Sequence, residues 1–340
     1  MFNQPNLSGP LHQDVRYKEL AKLLAEAGCF VPTQLRYAVR IAWITGAVLV
    51  AFVVLLFAPS WPLRLALIAL LSICCVQASF VAHDVGDGAL TKNKRVSSGL
   101  RHVLLTFFSG VSSTYFHHLH RLHHLSLDRR GKTGGGGRYL TNKYELHWLK
   151  HVLAANGLMF MVGTIVLRGL TFRIESLRFV FANPLSTKSD RLFLLGHYLV
   201  WFAFPALLIG PVSAILNLAL LTLFAGAYIG TVLVLNHEGM SRVDEVANLP
   251  PFDRVLATTR NLSPSAVADV TLGGVNNHIE HHMFPDMPTM HLARARKIMR
   301  KFCKSRALPY AETNLTEAIL GAARHFRNSP RQRLTREALS

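Results

Sequence analysis

The chain has 340 residues, half of them apolar and only 16% charged, which excludes a disordered protein. Its 37 Lys and Arg face 19 Asp and Glu, and so apolar a chain with a net charge of +18 points to a membrane protein with basic flanks. Cys29, Cys74, Cys75 and Cys303 form neither a CxxC pair nor a framework spacing, so a disulfide scaffold is excluded too.

Residues 1–40 read as a cytosolic amphipathic segment, not a signal peptide, because no apolar stretch follows the start. Asp14 opens a helical pattern in which Val15, Leu20, Leu23 and Leu24 recur, and Gly28 stops it. Two placements are open: on the membrane surface, or packed on the protein's own cytosolic domain. Residues 41–59 are apolar and uncharged, and residues 62–82 are apolar except for Arg64, Gln77 and small polar side chains. Each is long enough for a bilayer that takes ~20 helical residues. Ser60 and Trp61 join them, which leaves room only for a tight turn. Residues 192–209 and 212–235 form a second such pair, turned at Gly210-Pro211.

Two further apolar runs are read as interfacial or protein-buried helices. Val103 to Phe116 is broken by Thr, Ser and Gly, and Val152 to Leu167 is short for a span. Charge decides the second. With four spans, only Arg64 of the 37 basic residues falls on the far side, so the basic side is cytosolic. A crossing at 152–167 would need another before Arg191, and the chain has none. The expected fold is an all-α integral membrane protein: four transmembrane helices in two hairpins, with a cytosolic helical cap. The membrane domain is expected over 41–325, and 326–340 as a basic tail.

The 17 histidines cluster on that cytosolic side. His83 follows the second span, and His237 follows the fourth. His120-Arg121-Leu122-His123-His124 and His278-Ile279-Glu280-His281-His282 share the pattern His-x-x-His-His. On a helix, positions i, i+3 and i+4 share a face, so each segment offers several imidazoles to one centre. Imidazole suits Fe, Zn, Cu and Ni, and so many donors imply more than one ion. A single His-rich patch can bind stray metal; two matched ones at span ends point to a built centre. His117 and His118 are open as extra ligands or as neighbours of ligands. His197, inside the third span, reads as a packing or hydrogen-bonded residue. Surface or interfacial roles fit His12, His102, His147, His151, His291 and His325.

Asn277 to Pro285, with its Ile-Glu-His-His-Met-Phe-Pro string, resembles the third histidine box of the membrane fatty-acid desaturase superfamily, especially its front-end and bacterial acyl desaturases. Met287-Pro288, Leu292-Ala293-Arg294-Ala295, Phe302-Cys303 to Pro309-Tyr310, Asn236-His237-Glu238-Gly239-Met240 and Thr259-Arg260-Asn261 extend the likeness to roughly residues 10–325. The resemblance implies a centre of two Fe ions that activates O2 and removes two hydrogens from an acyl chain. It implies as ligands His83, His120, His123, His124, His237, His278, His281 and His282, with no catalytic residue beyond the metal centre. Asn236 resembles an Asn that holds a metal-bound water in stearoyl-CoA desaturases. Asp84, Asp87 and Glu280 are the nearest acidic residues by sequence that could orient ligand N–H groups; for Asp84 and Glu280 an ordinary surface or ion-pair role is equally open. The likeness to bacterial members implies a bacterial inner membrane, and the four-span topology with its charge asymmetry leads us to expect both termini on the cytosolic side.

The first box departs from the family. The second imidazole of its usual His-Asp-x-x-His is replaced in His83-Asp84-Val85-Gly86-Asp87. Asp87 as an iron ligand is the reading adopted; a neighbouring histidine in its place, or a weakened metal site, are the alternatives. The loop from Asp128 to Arg138 is read as flexible and basic, since the phosphate-loop pattern would need a glycine at Ser126.

An unactivated C–H bond has no acidity for acid–base catalysis to exploit, so the metal must carry the chemistry. Electrons are expected from an external donor, ferredoxin or a b5-type cytochrome with its reductase, and the acyl chain on CoA, a carrier protein or a lipid. The segment 292–306 mixes Arg294, Arg296, Lys297, Arg300, Lys301, Lys304 and Arg306 with Leu292, Ile298, Met299 and Phe302. That mixture suits adhesion to membrane lipids, with docking of an acidic donor as the alternative. Nucleic acid is excluded as a partner because no recognised binding motif occurs. The rival functions are hydroxylation, ketolation or acetylenic bond formation on the same scaffold, and a membrane metal-binding protein or transporter. A transporter would hold its ligands near the bilayer midplane, and these clusters lie at or beyond the span ends.

Overall fold

The computed structural model describes residues 10–128, 157–183, 185–241 and 245–337. These fall into two compact units, one from Pro32–His120 and Val166–Gly230, the other from Met1–Val31, Arg121–Ile165 and Thr231–Ser340.

Among the described residues, four helices are long and apolar enough to cross a membrane: α2 (Gln34–Phe57), α3 (Trp61–Asp87), α7 (Lys188–Ile209) and α8 (Pro211–Leu235). The apolar windows of α2 and α7 are only 28% and 22% buried, so most of their apolar surface requires a lipid cover. Helix α2 begins before the apolar stretch, and α3 outlasts it. Hydropathy stops at Ala82, but α3 runs on through His83, Asp84 and Asp87 until Gly88 adopts φ +80° and caps it. That extra turn places box one on a helix.

Within the same unit, Gln77 of α3 accepts from Arg40 (2.7 Å) and donates to Tyr228 (2.9 Å), so a polar group inside a span is satisfied. Gly169 on α6 (Arg168–Ala182) meets Gly226 on α8 backbone to backbone, and a Cβ at either would collide with the facing main chain. Helix α7 relaxes to a π-helical turn at Leu199–Ala203, just ahead of Pro205, whose missing N–H breaks the regular ladder. His197 in α7 is fully buried: Nδ1 donates to the Phe107 carbonyl (2.7 Å) and Nε2 accepts from Arg173 (3.1 Å). The expected helix over Val103–Phe116 is broken instead, with Gly110 at φ +67° ahead of α4 (Ser113–Asp128). Of the run 152–167, the described part forms α5 (Gly157–Val166), and residues 152–156 lie outside the described residues, as does the loop 129–138.

The second unit is built around α1 (Val15–Glu26), α9 (Pro251–Thr258), α10 (His278–Met283), α11 (Thr289–Ser305) and α12 (Leu315–Glu337). Asp14 caps α1 by accepting from the Arg16 N–H (2.8 Å), and Arg16 also forms a two-point ion pair with Asp253 (2.8 and 2.9 Å). Helix α1 turns Tyr17, Leu20 and Leu24 into a core shared with Phe252, Ile279, Phe284, Leu292, Met299 and Phe302. Of its two placements, the structure adopts packing on the protein itself. The same core corrects the reading of 292–306. Leu292, Met299 and Phe302 are buried, so α11 offers no apolar face to lipid and its outer face is charged. A two-residue parallel pair, Asn261–Leu262 with Glu312–Thr313, ties the segment between α11 and α12 to the segment after α9.

Candidate metal centre

Four imidazoles of the second unit converge: His123 on α4, His237 just after α8, and His278 and His282 on α10. Their Nε2 atoms form a chain of close pairs: His237–His278 at 2.7 Å, His278–His282 at 3.0 Å, His123–His282 at 3.1 Å and His237–His282 at 3.2 Å. Hydrogen bonds among neutral rings cannot account for this. His237 Nδ1 lies 3.0 Å from the Thr258 carbonyl, which only accepts, so Nδ1 carries the proton and Nε2 is bare. His278 and His282 would then both have to donate to His237, which turns two protons against each other across their own 3.0 Å contact.

Protonating the rings is opposed by burial. Burial, then the neighbouring imidazoles, holds His278 and His282 well below the usual histidine range, and burial holds His237 down to about 4. A divalent cation resolves the conflict. Donors ~2.1 Å from one ion at right angles stand ~3 Å apart, the spacing found here. Neutral buried imidazoles are the protonation state that ligation needs. His124 and His281 flank this group, their ring centroids 4.9 Å apart, with His124 4.5 Å from His282.

In the first unit, His83 and Asp87 on α3 meet His120 on α4. Asp87 lies 3.2 Å from His120 Nε2 and 3.7 Å from His83 Nε2, and the two rings stand 4.3 Å apart. Asp84 faces His83 Nδ1 (3.4 Å) while its other oxygen accepts from Tyr37 (2.7 Å). Burial, with His83 and His117 adding to it, lowers the pKa of His120 well below the usual range. Phe116 stacks on the His120 ring at 5.9 Å and 3°, which fixes its plane.

Other expected residues fall differently. His117 donates from Nδ1 to the Ser113 carbonyl (2.8 Å), and its Nε2 packs on Gly86 without a partner among the described residues. His118 turns to Phe179. Glu280 does not hold an imidazole: one oxygen accepts from Tyr310 (2.5 Å), the other from Asn261 (2.8 Å). The helical period explains this, because position 280 lies opposite the face shared by 278, 281 and 282. Asn236 donates to the Val275 carbonyl (3.1 Å), and its Oδ1 is buried without a partner among the described residues.

Asn261 and Tyr310 carry no ligand pattern of their own, yet they secure α10. Asn261 is fully buried; its Oδ1 accepts from the Ile279 N–H (2.9 Å), and its Nδ2 donates to Glu280 and Tyr310. The likeness to the family around Thr259-Arg260-Asn261 was the signal in the sequence.

The family model for fatty acid desaturases matches residues 59–314. Among curated proteins, the acyl-lipid (9-3)-desaturase of Physcomitrium patens is 23% identical over 317 residues, 88% of this chain and 59% of its own length. The acyl-lipid 8-desaturase of Rebecca salina is 25% identical over 248 residues, 71% of this chain and 56% of its own. The Delta(8)-fatty-acid desaturase of Borago officinalis is 26% identical over 295 residues, 78% of this chain and 64% of its own. The chain thus spans less than two thirds of the length of these relatives. With a family match that takes in both donor clusters, the chain belongs to the fatty acid desaturase family.

Proposed function

We propose that the chain is a membrane oxidoreductase, a fatty acyl desaturase that removes two hydrogens from an acyl chain with O2 as co-substrate and two Fe ions as cofactor. The observation that carries this reading is the group of four Nε2 atoms that no proton arrangement satisfies. One ion falls to His123, His237, His278 and His282, and the other to His83, Asp87 and His120, with His124 and His281 completing the set. Bound iron supplies O2-dependent oxidation of an unactivated C–H bond.

The chain's own residues hold and orient. Thr258 fixes the tautomer of His237, Tyr37 and Asp84 do the same for His83, and the free Oδ1 of Asn236 is placed to hold a water. Deep burial of α10 keeps bulk water from the imidazoles. The four apolar helices form two hairpins that sequester the acyl chain, whether carried on CoA, a carrier protein or a lipid. The asymmetry of Lys and Arg puts both termini and the histidine ends of the spans in the cytosol. Electrons come from an acidic external donor, ferredoxin or a b5-type cytochrome with its reductase, for which the charged face of α11 is suited.

Expression in a host of known lipid composition tests this. New double bonds are expected with the wild type and none with His237→Ala; an unchanged lipid profile with the wild type and a donor rejects it. Asp87 favours a second reading, hydroxylation or another oxidation on the same scaffold. Mass spectrometry separates the two, by gain of oxygen against loss of two hydrogens.

A further inference from the structure

We propose that Asp190 is a positioning residue for the imidazole of His120: its buried carboxylate pins the N-terminus of α4 and ties that helix to the start of α7. This rests on the reading of His83, Asp87 and His120 as metal donors, and it concerns what holds the helix that carries His120.

Helix α4 begins abruptly inside the protein. The chain turns at Gly110 and restarts at Ser112, so the first N–H groups of α4 have no helical carbonyl to bond, and Ser112 and Ser113 are fully buried. Side chains satisfy them. Ser112 N–H donates to the Ser176 hydroxyl on α6 (2.6 Å), Ser113 N–H to the Thr106 hydroxyl (3.0 Å), Thr114 N–H to Asp190 (3.4 Å) and Tyr115 N–H to the Ser112 hydroxyl (3.1 Å). Ser112 is thus the N-cap of α4. Its own hydroxyl proton goes to Asp190 Oδ1 (2.7 Å), and the Thr114 hydroxyl donates to Oδ2 (2.7 Å). The same carboxylate closes the capping box of α7, where Oδ2 accepts from the Thr187 N–H (3.0 Å) and hydroxyl (2.8 Å). Asp190 is fully buried, and its charge sits at the N-terminal ends of two helices, the end that favours an anion.

The α7 box engages Oδ2 alone, whereas Oδ1 serves Ser112 and Thr114, with His102 Nε2 3.4 Å away. A cap for α7 only would leave Oδ1 without this use. An amide cannot stand in for the carboxylate. Each oxygen faces a backbone N–H, Thr114 for Oδ1 and Thr187 for Oδ2, so an Asn would turn its NH2 against one of them in either orientation. Thr114 stands six residues before His120, about 9 Å along the helix axis. Metal–ligand distances tolerate shifts of only about 0.2 Å, so play at the start of α4 is carried to the imidazole. Asp190, Thr114 and His120 all lie in one unit of the fold.

The test uses the full chain in detergent, stripped with a chelator, with Co2+ as the probe followed by its visible absorption. Hydrogen exchange over residues 113–120, read by mass spectrometry without metal, is the second measurement. Thr114→Val, which keeps the α7 box, should bind Co2+ about tenfold more weakly, the lower end of what removing an outlying metal partner causes, and should exchange faster over 113–120. Asp190→Asn should do both more strongly. Thr114→Ser, which keeps the hydroxyl, should match the wild type. Thr187→Val, which loosens α7 instead, should lower the melting temperature and leave Co2+ affinity and exchange over 113–120 unchanged. Wild-type Co2+ affinity in Thr114→Val, or an equal loss in Thr187→Val, overturns the inference and leaves Asp190 as a support of the fold alone. A wild type that takes up no Co2+ rejects the metal reading instead, and exchange over 113–120 then decides whether Asp190 pins α4.

Discussion

The ring of His117 stands where a Cβ on Gly86 would have to be. His117 is fixed on α4 by its bond to the Ser113 carbonyl, so it sets how closely α4 approaches the last turn of α3. Gly86 lies between His83 and Asp87, and His117 lies one turn before His120. The closeness of Asp87 to His120 therefore depends on a residue that has no side chain.

Gly86→Ala should force the two helices apart. Overpacking of this kind costs about 1–3 kcal/mol, and the metal of the His83–Asp87–His120 group should be lost with it. Gly86→Ala combined with His117→Ala should recover most of that stability, which thermal unfolding in detergent would report as strong coupling between the sites. Additive losses would show that the ring does not set the spacing.

Asn261→Ala should destabilise the protein by about 2–3 kcal/mol, because the Ile279 N–H and one Glu280 oxygen would be left buried and unpaired. Burial raises the pKa of Glu280 on balance, against the bonds from Tyr310 and Asn261, a backbone N–H and the Arg296 charge, so removing one of these bonds further disfavours its charge. Denaturant titration measures the loss. Asn261→Asp should be no milder, since it sets a second carboxylate against Glu280.

Acid should unfold the metal-free protein by a predictable route. Burial holds His237 and His117 down to about 4 from an ordinary value of 6.5. The unfolded chain takes up these protons near pH 6.5, the folded chain only near pH 4. Stability should therefore fall as pH drops from about 6.5 to about 4 and level off below, by at most about 1.4 kcal/mol per pH unit for each group. A melting temperature constant across that interval would contradict buried neutral rings at these positions.

Lys297, Lys301 and Lys304 share the outer face of α11 and have no acidic partner among the described residues. Changing all three to Glu should raise the KM for an acidic electron donor about tenfold at low salt, with the gap closing as salt rises. Unchanged donor kinetics would place the docking face elsewhere.

The spans were legible because length and apolarity are local properties, and so were the imidazole sets, because i, i+3 and i+4 need only one helix. Helix ends were harder. Hydropathy closes at Ala82, while the backbone continues to Asp87, because apolarity marks where a helix leaves the lipid and not where its hydrogen bonding ends, which here is at Gly88. The opposed face of Glu280 was implicit in the helical period. Its partners were not, since Tyr310 is 30 residues away and meets it only through tertiary packing. The same holds for Gly86 with His117. The amphipathic look of 292–306 misled because an apolar stripe reads alike whether lipid or protein covers it.

All four cysteines are free and buried, with Cys29 and Cys303 in the core around α10, and Cys74 and Cys75 on α3. Burial suppresses thiolate formation at Cys29 and Cys303, so neither should react with a thiol reagent while its surroundings stay closed. Each of the two units thus contains native chemical reporters of its own opening. The rate at which the thiols become labelled, with and without metal, would time the unfolding of each unit without any added probe.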